Sequence, residues 1–514
     1  LNAERAPDRP ALLFGVETYD YAGLLDLAQR WSAAFAAWGV QPGDRVALFL
    51  DNSPTFLGAY FGVQLVGGIV VLVNTQYKQV ELSHILADAG VRLCVTDSAR
   101  RSELRRVEAD LPSLEAIVVV GTSPMAQSED VPRASRPIEI SADSFLEGGC
   151  STSISLPDAG DVALIAYTSG TTGRSKGAML AHGNLASNSV AVTDAWRWMS
   201  DDRLLLTLPL FHIHGLGVGI HGAIVTGSLV DLRIRFEVAD AFDTLGRGET
   251  TMFFGVPTMY GRLIAEAERR ATRPPPIRLY VSGSAALSAQ TFEDFERLFG
   301  QRILERYGMT ETIMNLTNPY DGERRPGTVG QPFPGQEARI VDVATRQPIL
   351  DERPGEIQVR GPHVFKGYWQ QSDATAAAFD AEGWFNTGDL GWRSADGYYT
   401  ISGRARELII TGGYNVYPRE VEEVLVTHPG VAEAAVLGLP DPDFGEQVVA
   451  VVVRRDGAAS LVSADDLIAL CRDQLASYKK PRQVHFVDAL PRNALGKVQK
   501  HLIREDLDHA CRAP

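Results

Sequence analysis

Short runs of β-branched and apolar residues recur through the first two thirds of the chain, separated by helix-length spacers. They are RVALFL (45–50), IVVLVN (69–74), LCVTD (93–97), AIVVVG (116–121), ALIAYTSG (163–170), LLLTLP (204–209) and RLYVSG (278–283). The near-continuous apolarity of each run fits a strand covered on both faces, and strand–helix alternation is how parallel sheets are built. The pattern predicts an α/β fold with a large N-terminal domain of parallel-rich sheets and flanking helices. Ligands of such sheets bind beyond the carboxyl ends of the strands. The turns that follow two of these runs, YTSGTTG and SGSAA, are therefore expected to face one crevice.

At 514 residues the chain exceeds what one core organises. Near residue 340 the pattern shifts to short alternating strands, EARIVDV, GEIQVRG and GYYTISGR, which predict a small β subdomain over about 335–403. Beyond Arg404, the segments ELIITGGYNVYPREVE, VAEAAVLGLPD and QVVAVVVRRDG, with a helical pattern near 464–476, predict a small α+β C-terminal domain.

Lys and Arg total 49 against 64 Asp and Glu, a net charge of −15, which gives no general attraction to nucleic acid. Any nucleotide partner would be a small molecule held in a local basic site. Cys94, Cys150, Cys471 and Cys511 have no paired spacing, so neither a disulfide framework nor a zinc site is expected, and a reducing cytoplasm is the simplest setting. The opening LNAERAPDRPALLF carries charges where a secretory signal needs an apolar run. Two uncharged stretches, 55–74 and 204–230, are long enough to span a bilayer. The first breaks at Gly67-Gly68 into a helical half and a strand-like half, and the second holds Pro209, three histidines and five glycines. Both read as buried elements of a globular fold, with no membrane span.

The stretch YTSGTTGRSKG (167–177) combines small residues, hydroxyls and the cations Arg174 and Lys176. Such a loop can turn backbone N–H groups and hydroxyls on a phosphate, although Gly/Ser/Thr clusters also form plain surface turns. A G-x-x-x-x-G-K-[ST] P-loop is excluded, because no glycine directly precedes Lys176 and Gly177 follows it.

Read in order, YTSGTTGRSKG, LPLFHIHG (208–215), YVSGSAAL (280–287), RYGMTET (306–312), GWFNTGDLG (383–391), ISGRARELIITGGYNVYPREVE (401–422) and PRNALGKVQK (491–500) resemble the acyl-adenylate-forming superfamily of acyl-CoA synthetases, luciferases and adenylation domains. The resemblance covers nearly the whole chain. It implies ATP, Mg²⁺ and coenzyme A as cofactors. A carboxylate would attack the α-phosphate of ATP with loss of pyrophosphate, and a thiol would then displace AMP. By this resemblance Lys497 is the adenylation lysine, and Thr310 and Glu311 hold phosphate and Mg²⁺. Thr168, Ser169, Gly170, Thr171, Thr172, Gly173 and Lys176 cover the β- and γ-phosphates, with Thr171 also beside the metal. Tyr307 stacks on adenine with Ser284 and Ala285 nearby, and Asp389 and Arg404 hold the ribose. The implied division is an N-terminal domain 1–403, a hinge 404–406 and a mobile C-terminal domain 407–514. Arg406 stands at the hinge, where relatives carry Asp or Lys. Gly412 and Gly413 are expected to wall the pantetheine tunnel.

Ser175 in GRSKG, with FHIHG, SGSAAL, ERYGMTE and PRNALGKVQK, resembles the malonyl-CoA synthetase branch, which also takes methylmalonate. A buried cation near a carboxylate pocket points to an acid with a second carboxylate, because an unpaired guanidinium away from water is costly. Arg235 is the first expectation for the distal carboxylate, with Arg278 and Arg306 as alternatives, each equally able to form a structural ion pair. His212, Ser282 and Met309 are expected to shape the pocket, with His212 also close to the chemistry. A short- or medium-chain monocarboxylate synthetase would share every ATP motif. An amino-acid-activating domain would commonly carry Asp where His212 stands. A non-catalytic ATP or acyl-AMP sensor would not need Lys497, Glu311, Asp389 and Arg404 together.

Overall fold

Every run predicted as a strand forms one in the computed structural model, which describes residues 2–121, 137–149, 156–168, 174–412, 414–455, 457, 462–494 and 496–512. The runs divide between two large sheets, which local sequence does not reveal. In the eight-stranded sheet the order is 367–368, 176–181, 162–168, 69–72, 45–49, 93–97, 116–120, 138–141. In the nine-stranded sheet it is 331–332, 316–317, 304–307, 279–282, 252–255, 203–206, 229–232, 10–14, 17–20. Both are parallel through their middles and antiparallel near one edge or both. Burial follows from the covered faces: Val46, Leu48, Val70, Leu93, Val281 and Leu304 are all sealed from solvent in one continuous core.

The β-rich segment forms a four-stranded antiparallel sheet, Glu337–Val341, Gly355–Arg360, Phe385–Arg393 and Tyr399–Arg404. The last unit is a five-stranded sheet over residues 409–487 with helices Pro418–Val426 and Ala464–Gln474 against it. One 3-10 turn, Ala405–Glu407, joins these two sheets and carries Arg406 exposed.

Neither apolar stretch forms one continuous helix. Residues 55–74 give most of the helix Pro54–Leu65 and the strand Ile69–Leu72. Residues 204–230 give a strand, a loop, a seven-residue π-helix His214–Ile220 and a short α-helix His221–Thr226. Among the described residues no helix is long and apolar enough to cross a membrane. The wide π turn is a local departure that often marks a functional site. Here Val218 N–H reaches Ile213 O, five residues back. Gly215 permits it, since a Cβ there would sit 2.5 Å from Pro209 O.

Candidate active site

The strand Val162–Thr168 runs antiparallel to Lys176–Ala181, with Thr168 opposite Lys176, so the glycine-rich segment connects a hairpin and not a strand to a helix. Ser169, Gly170, Thr171, Thr172 and Gly173 lie outside the described residues. The stem is tied down on each side: Tyr167 hydroxyl donates to Asp88 Oδ2 (2.6 Å), His84 Nε2 donates to the Ser175 carbonyl (2.8 Å) and Trp369 N–H to Gly177 O (2.7 Å).

The stem meets the other sheet. Thr168 Oγ1 donates to Glu311 Oε1 (3.4 Å), in the turn after the strand Leu304–Tyr307, and Tyr368 hydroxyl donates to the same oxygen (3.1 Å). The carboxyl ends of strands from both sheets thus open on one crevice. Glu311 is buried, and burial raises its carboxyl pKa above the usual range. A carboxylate in that position is stabilised by a divalent cation. One carboxylate with adjacent hydroxyls suits a hard cation that keeps waters and shares phosphate oxygens, so these residues fit Mg²⁺ carried with ATP. Thr310 stands beside Glu311, half-buried.

Asp389 and Arg404 are cross-strand partners in the four-stranded sheet, joined by Arg404 Nε to Asp389 Oδ1 at 2.7 Å. Tyr307 hydroxyl donates to Asp389 Oδ2. Burial, and then the Asp389 charge, push the phenol well up, so it stays a donor. The buried carboxylate therefore has fixed orientation. The predicted stacking tyrosine and the predicted ribose carboxylate belong to one hydrogen-bonded unit, with Met309 Sδ 3.9 Å from the same hydroxyl.

Lys497, 108 positions after Asp389 in the chain, joins this group. The charges acting on it are Arg404, Asp389, Glu407 and Arg406, and its pKa is lowered first by burial and then by Arg404. The residue as a whole is exposed to solvent and not part of a sealed core. Its loop is closed by the Arg492–Val498 bridge and by Lys497 N–H donating to Asn493 Oδ1 (2.9 Å). Gly496, at φ +74°, presses on the helix Pro257–Arg270, where a Cβ would meet Thr258 Oγ1 at 2.8 Å.

The arginine candidates separate clearly. Arg235 is not buried: its side chain is 80% exposed and Nε pairs with Glu237 Oε1 at 2.6 Å. It lies on a surface turn, whereas the inward pairing with Asp231 belongs to Arg233. Arg278 is satisfied elsewhere, with Nε and Nη2 on Asp202 (2.9 and 2.6 Å) and Nη1 on Trp196 O (2.9 Å). It precedes the amino end of the strand Leu279–Ser282, roughly 13 Å of extended chain from the carboxyl end that faces the crevice. Both expectations are corrected by position: neither guanidinium is free inside a pocket.

Arg306 is the buried one. It is 3% exposed, and neither Nε nor Nη2 has a hydrogen-bond partner. Burial pushes its pKa down to about 9. Glu305 next to it does not neutralise it through contact; alternate residues of a strand point to opposite faces, and Glu305 Oε1 accepts from Leu287 N–H at 2.9 Å. Around the guanidinium are His212 and His214, both held neutral by burial and then by the Arg306 charge, His212 at about 4. Ser284 hydroxyl lies 3.2 Å from His214 Nδ1, leaving His214 Nε2 unpartnered, as is Ser282 Oγ. Ser284 adopts φ +67°, a strained value for serine, and Ala285 follows it half-buried. Gly283 makes room for the arginine, because a Cβ there would stand 2.4 Å from Arg306 Cζ. Gly283→Ala should therefore cost about 1–3 kcal/mol through overpacking. A lowered thermal midpoint, accompanied by weaker acid binding, is the expected readout.

At the predicted hinge and tunnel, Gly412 has φ +57° and donates its N–H to Phe444 O (2.8 Å), while Gly413 lies outside the described residues. Sequence reasoning missed Tyr368, which carries no motif signal of its own. Arg306 stands near the carboxyl end of the strand Leu304–Tyr307, which was not among the predicted runs, so its place at the crevice had no signal in the strand assignment.

A family model described as AMP-binding enzyme matches residues 1–369, and one described as AMP-binding enzyme C-terminal domain matches residues 420–497. A sulfoacetate–CoA ligase of Cupriavidus necator is 36% identical over 97% of this chain and 95% of its own length. A malonate–CoA ligase of Arabidopsis thaliana is 32% identical over 99% of this chain and 88% of its own. The crystal structure of ATP-bound MatB from Rhodopseudomonas palustris has a TM-score of 0.87 to this chain at 38% identity, with 98% of each covered.

Proposed function

Because the chain belongs to the AMP-binding enzyme family and is an AMP-forming acid–CoA ligase, we propose that its acid is short and carries a second anionic group, with malonate first and methylmalonate beside it. The observation that carries this reading is the buried Arg306 guanidinium, without an ion pair among the described residues, acting on His214, whose Nε2 is also unpartnered. In water the charge would be solvated; in this pocket an anion must compensate it. With Ser284 donating to His214 Nδ1, the imidazole carries its proton on Nε2. Arg306 and His214 then offer donors to one carboxylate. His212 and Met309 line the space left for a short chain.

Holding the distal carboxylate on Arg306 directs the reacting carboxylate toward Lys497. Two anions must meet in the first step, and the Lys497 ammonium reduces their repulsion as the new C–O–P linkage forms and pyrophosphate leaves. Glu311, with Thr310 and Thr168, would hold Mg²⁺, which neutralises charge on the ATP phosphates when bound. Lys176, with the hairpin segment 169–173, would bind the terminal phosphates, and Asp389 and Arg404 the ribose hydroxyls. The second step needs Lys497 out of the way of a thiol. The turn Ala405–Glu407, alone between two sheets, is our proposed hinge for that motion, with Gly412 on the segment that would approach the pantetheine.

A sulfonate is the second reading. The sulfoacetate–CoA ligase relative is the more similar of the two curated ligases compared, and several unfilled donors around Arg306 suit three sulfonate oxygens as well as two carboxylate oxygens. A monocarboxylate would leave Arg306 unpaired. The test is CoA-dependent AMP release across malonate, methylmalonate, sulfoacetate, acetate and butyrate. Preference for either dianionic acid by about tenfold or more over butyrate is expected, given what a charged hydrogen bond contributes. Equal or better use of butyrate would refute the dianion pocket.

A further inference from the structure

Tyr368 contacts both the acidic and the basic side of the phosphate crevice. It ends the two-residue strand Gly367–Tyr368 at the edge of the eight-stranded sheet, paired with Ala178 of the hairpin. Its hydroxyl donates to Glu311 Oε1 at 3.1 Å, the oxygen that also accepts from Thr168. Lys176 Nζ stands 5.1 Å from the centre of its ring, within reach of a cation–π attraction. The ring itself has little freedom. Phe365 packs edge-on at 4.9 Å, Tyr368 N–H donates to Thr375 Oγ1 (2.9 Å), and Phe365 N–H donates to the Glu311 carbonyl (2.8 Å). Gly367 brings Thr375 close, since a Cβ there would meet Thr375 Cγ2 at 2.4 Å.

We propose that Tyr368 is a positioning residue for adenylation, its hydroxyl fixing which Glu311 oxygen faces the cation and its ring setting the height of Lys176 over the phosphates. The proposal rests on the reading of Glu311 and Lys176 as phosphate-site groups. Both side-chain hydrogen bonds to Glu311 end on Oε1, which directs Oε2 to the cation without a search among rotamers. The tyrosine thereby links two groups that arrive from different sheets. A tyrosine that only packed would contribute to stability and leave the metal dependence of nucleotide binding unchanged.

The test compares Tyr368→Phe, Tyr368→Leu and Glu311→Gln in the full chain. ATP binding is measured by calorimetry with EDTA and across a Mg²⁺ series, and Mn²⁺ binding to the ATP complex by electron paramagnetic resonance. Tyr368→Phe keeps the ring and loses the hydroxyl. ATP affinity in EDTA should stay within about twofold of wild type, while the gain on adding Mg²⁺ falls about tenfold, the scale of one hydrogen bond to a charged group. Tyr368→Leu should also weaken ATP in EDTA by about two- to fivefold through loss of the surface under Lys176. Thioester formation from supplied acyl-AMP should be unchanged in Tyr368→Phe. If Glu311→Gln shifts the Mg²⁺ dependence and Tyr368→Phe does not, the positioning role is refuted and the reading of Glu311 stands. If Glu311→Gln leaves that dependence at wild type, both fall together.

Discussion

Lys497→Ala will lose adenylate formation by roughly 10²- to 10³-fold, the scale of removing one preorganised charge-stabilising donor, while thioester formation from supplied malonyl-AMP stays near the wild-type rate. The asymmetry follows from where the lysine sits. Its loop is pinned by the Arg492–Val498 bridge and seated through Gly496 on Thr258, and its ammonium shares a crevice with Asp389 and Arg404. Nothing in the second step, attack of a thiol on an already formed anhydride, requires a cation there. Malonate-dependent exchange of pyrophosphate into ATP measures the first step, and CoA consumption with malonyl-AMP the second. Equal loss in both assays would remove Lys497 from its assigned role. A bulkier residue at the contact, Thr258→Phe, should reproduce part of the first-step loss by unseating the loop.

Arg306→Met is expected to separate selectivity from stability. It keeps an unbranched apolar stem but removes the charged head, so kcat/KM for malonate should fall on the order of 10²- to 10³-fold, the cost of leaving a buried anion unpaired. Butyrate use should hold or improve. In the free enzyme the same change should raise the thermal midpoint, because replacing an uncompensated buried charge with an apolar side chain relieves desolvation. Under the proposed role, Arg306 costs stability until its ligand arrives. Arg235→Ala should change neither property, since that guanidinium is solvated, and Arg278→Ala should lower stability without altering selectivity by stranding Asp202. Malonate selectivity that survives Arg306→Met would refute the assignment.

The pH dependence has a definite sign. Burial holds the free enzyme's Arg306 near 9, below the ordinary arginine value. Below that pH the group is charged and receptive. Above it the site loses its proton before malonate binds, so the malonate KM should rise about tenfold per pH unit, and butyrate's should not follow. For folding, the unfolded chain holds this proton up to higher pH than the folded one. The desolvation cost is thus fully present below about 9 and is relieved as pH rises through that value.

Much of the protein was legible in its residues, and the exceptions are instructive. The strand runs needed only local apolarity, so Leu93–Asp97 was read to the residue and Ile69–Leu72 nearly so. That these runs divide between two sheets was not legible, because partner choice among similar parallel strands is fixed by how helices cover them. The motif residues Asp389, Arg404 and Glu311 could be named from order and chemistry. Their pairing with Tyr307, Tyr368 and Thr168 required the sheets to converge.

The sequence by itself determined the α/β class, because local apolarity and spacing suffice for it, and its ordered motifs carried the resemblance that implies ATP chemistry. Only the tertiary structure decided which of the three arginines is buried without an ion pair. Burial and counterion supply are properties of a three-dimensional neighbourhood: Arg235 found Glu237 at the surface, Arg278 found Asp202 at the amino end of its strand, and Arg306, beneath Gly283, found none among the described residues.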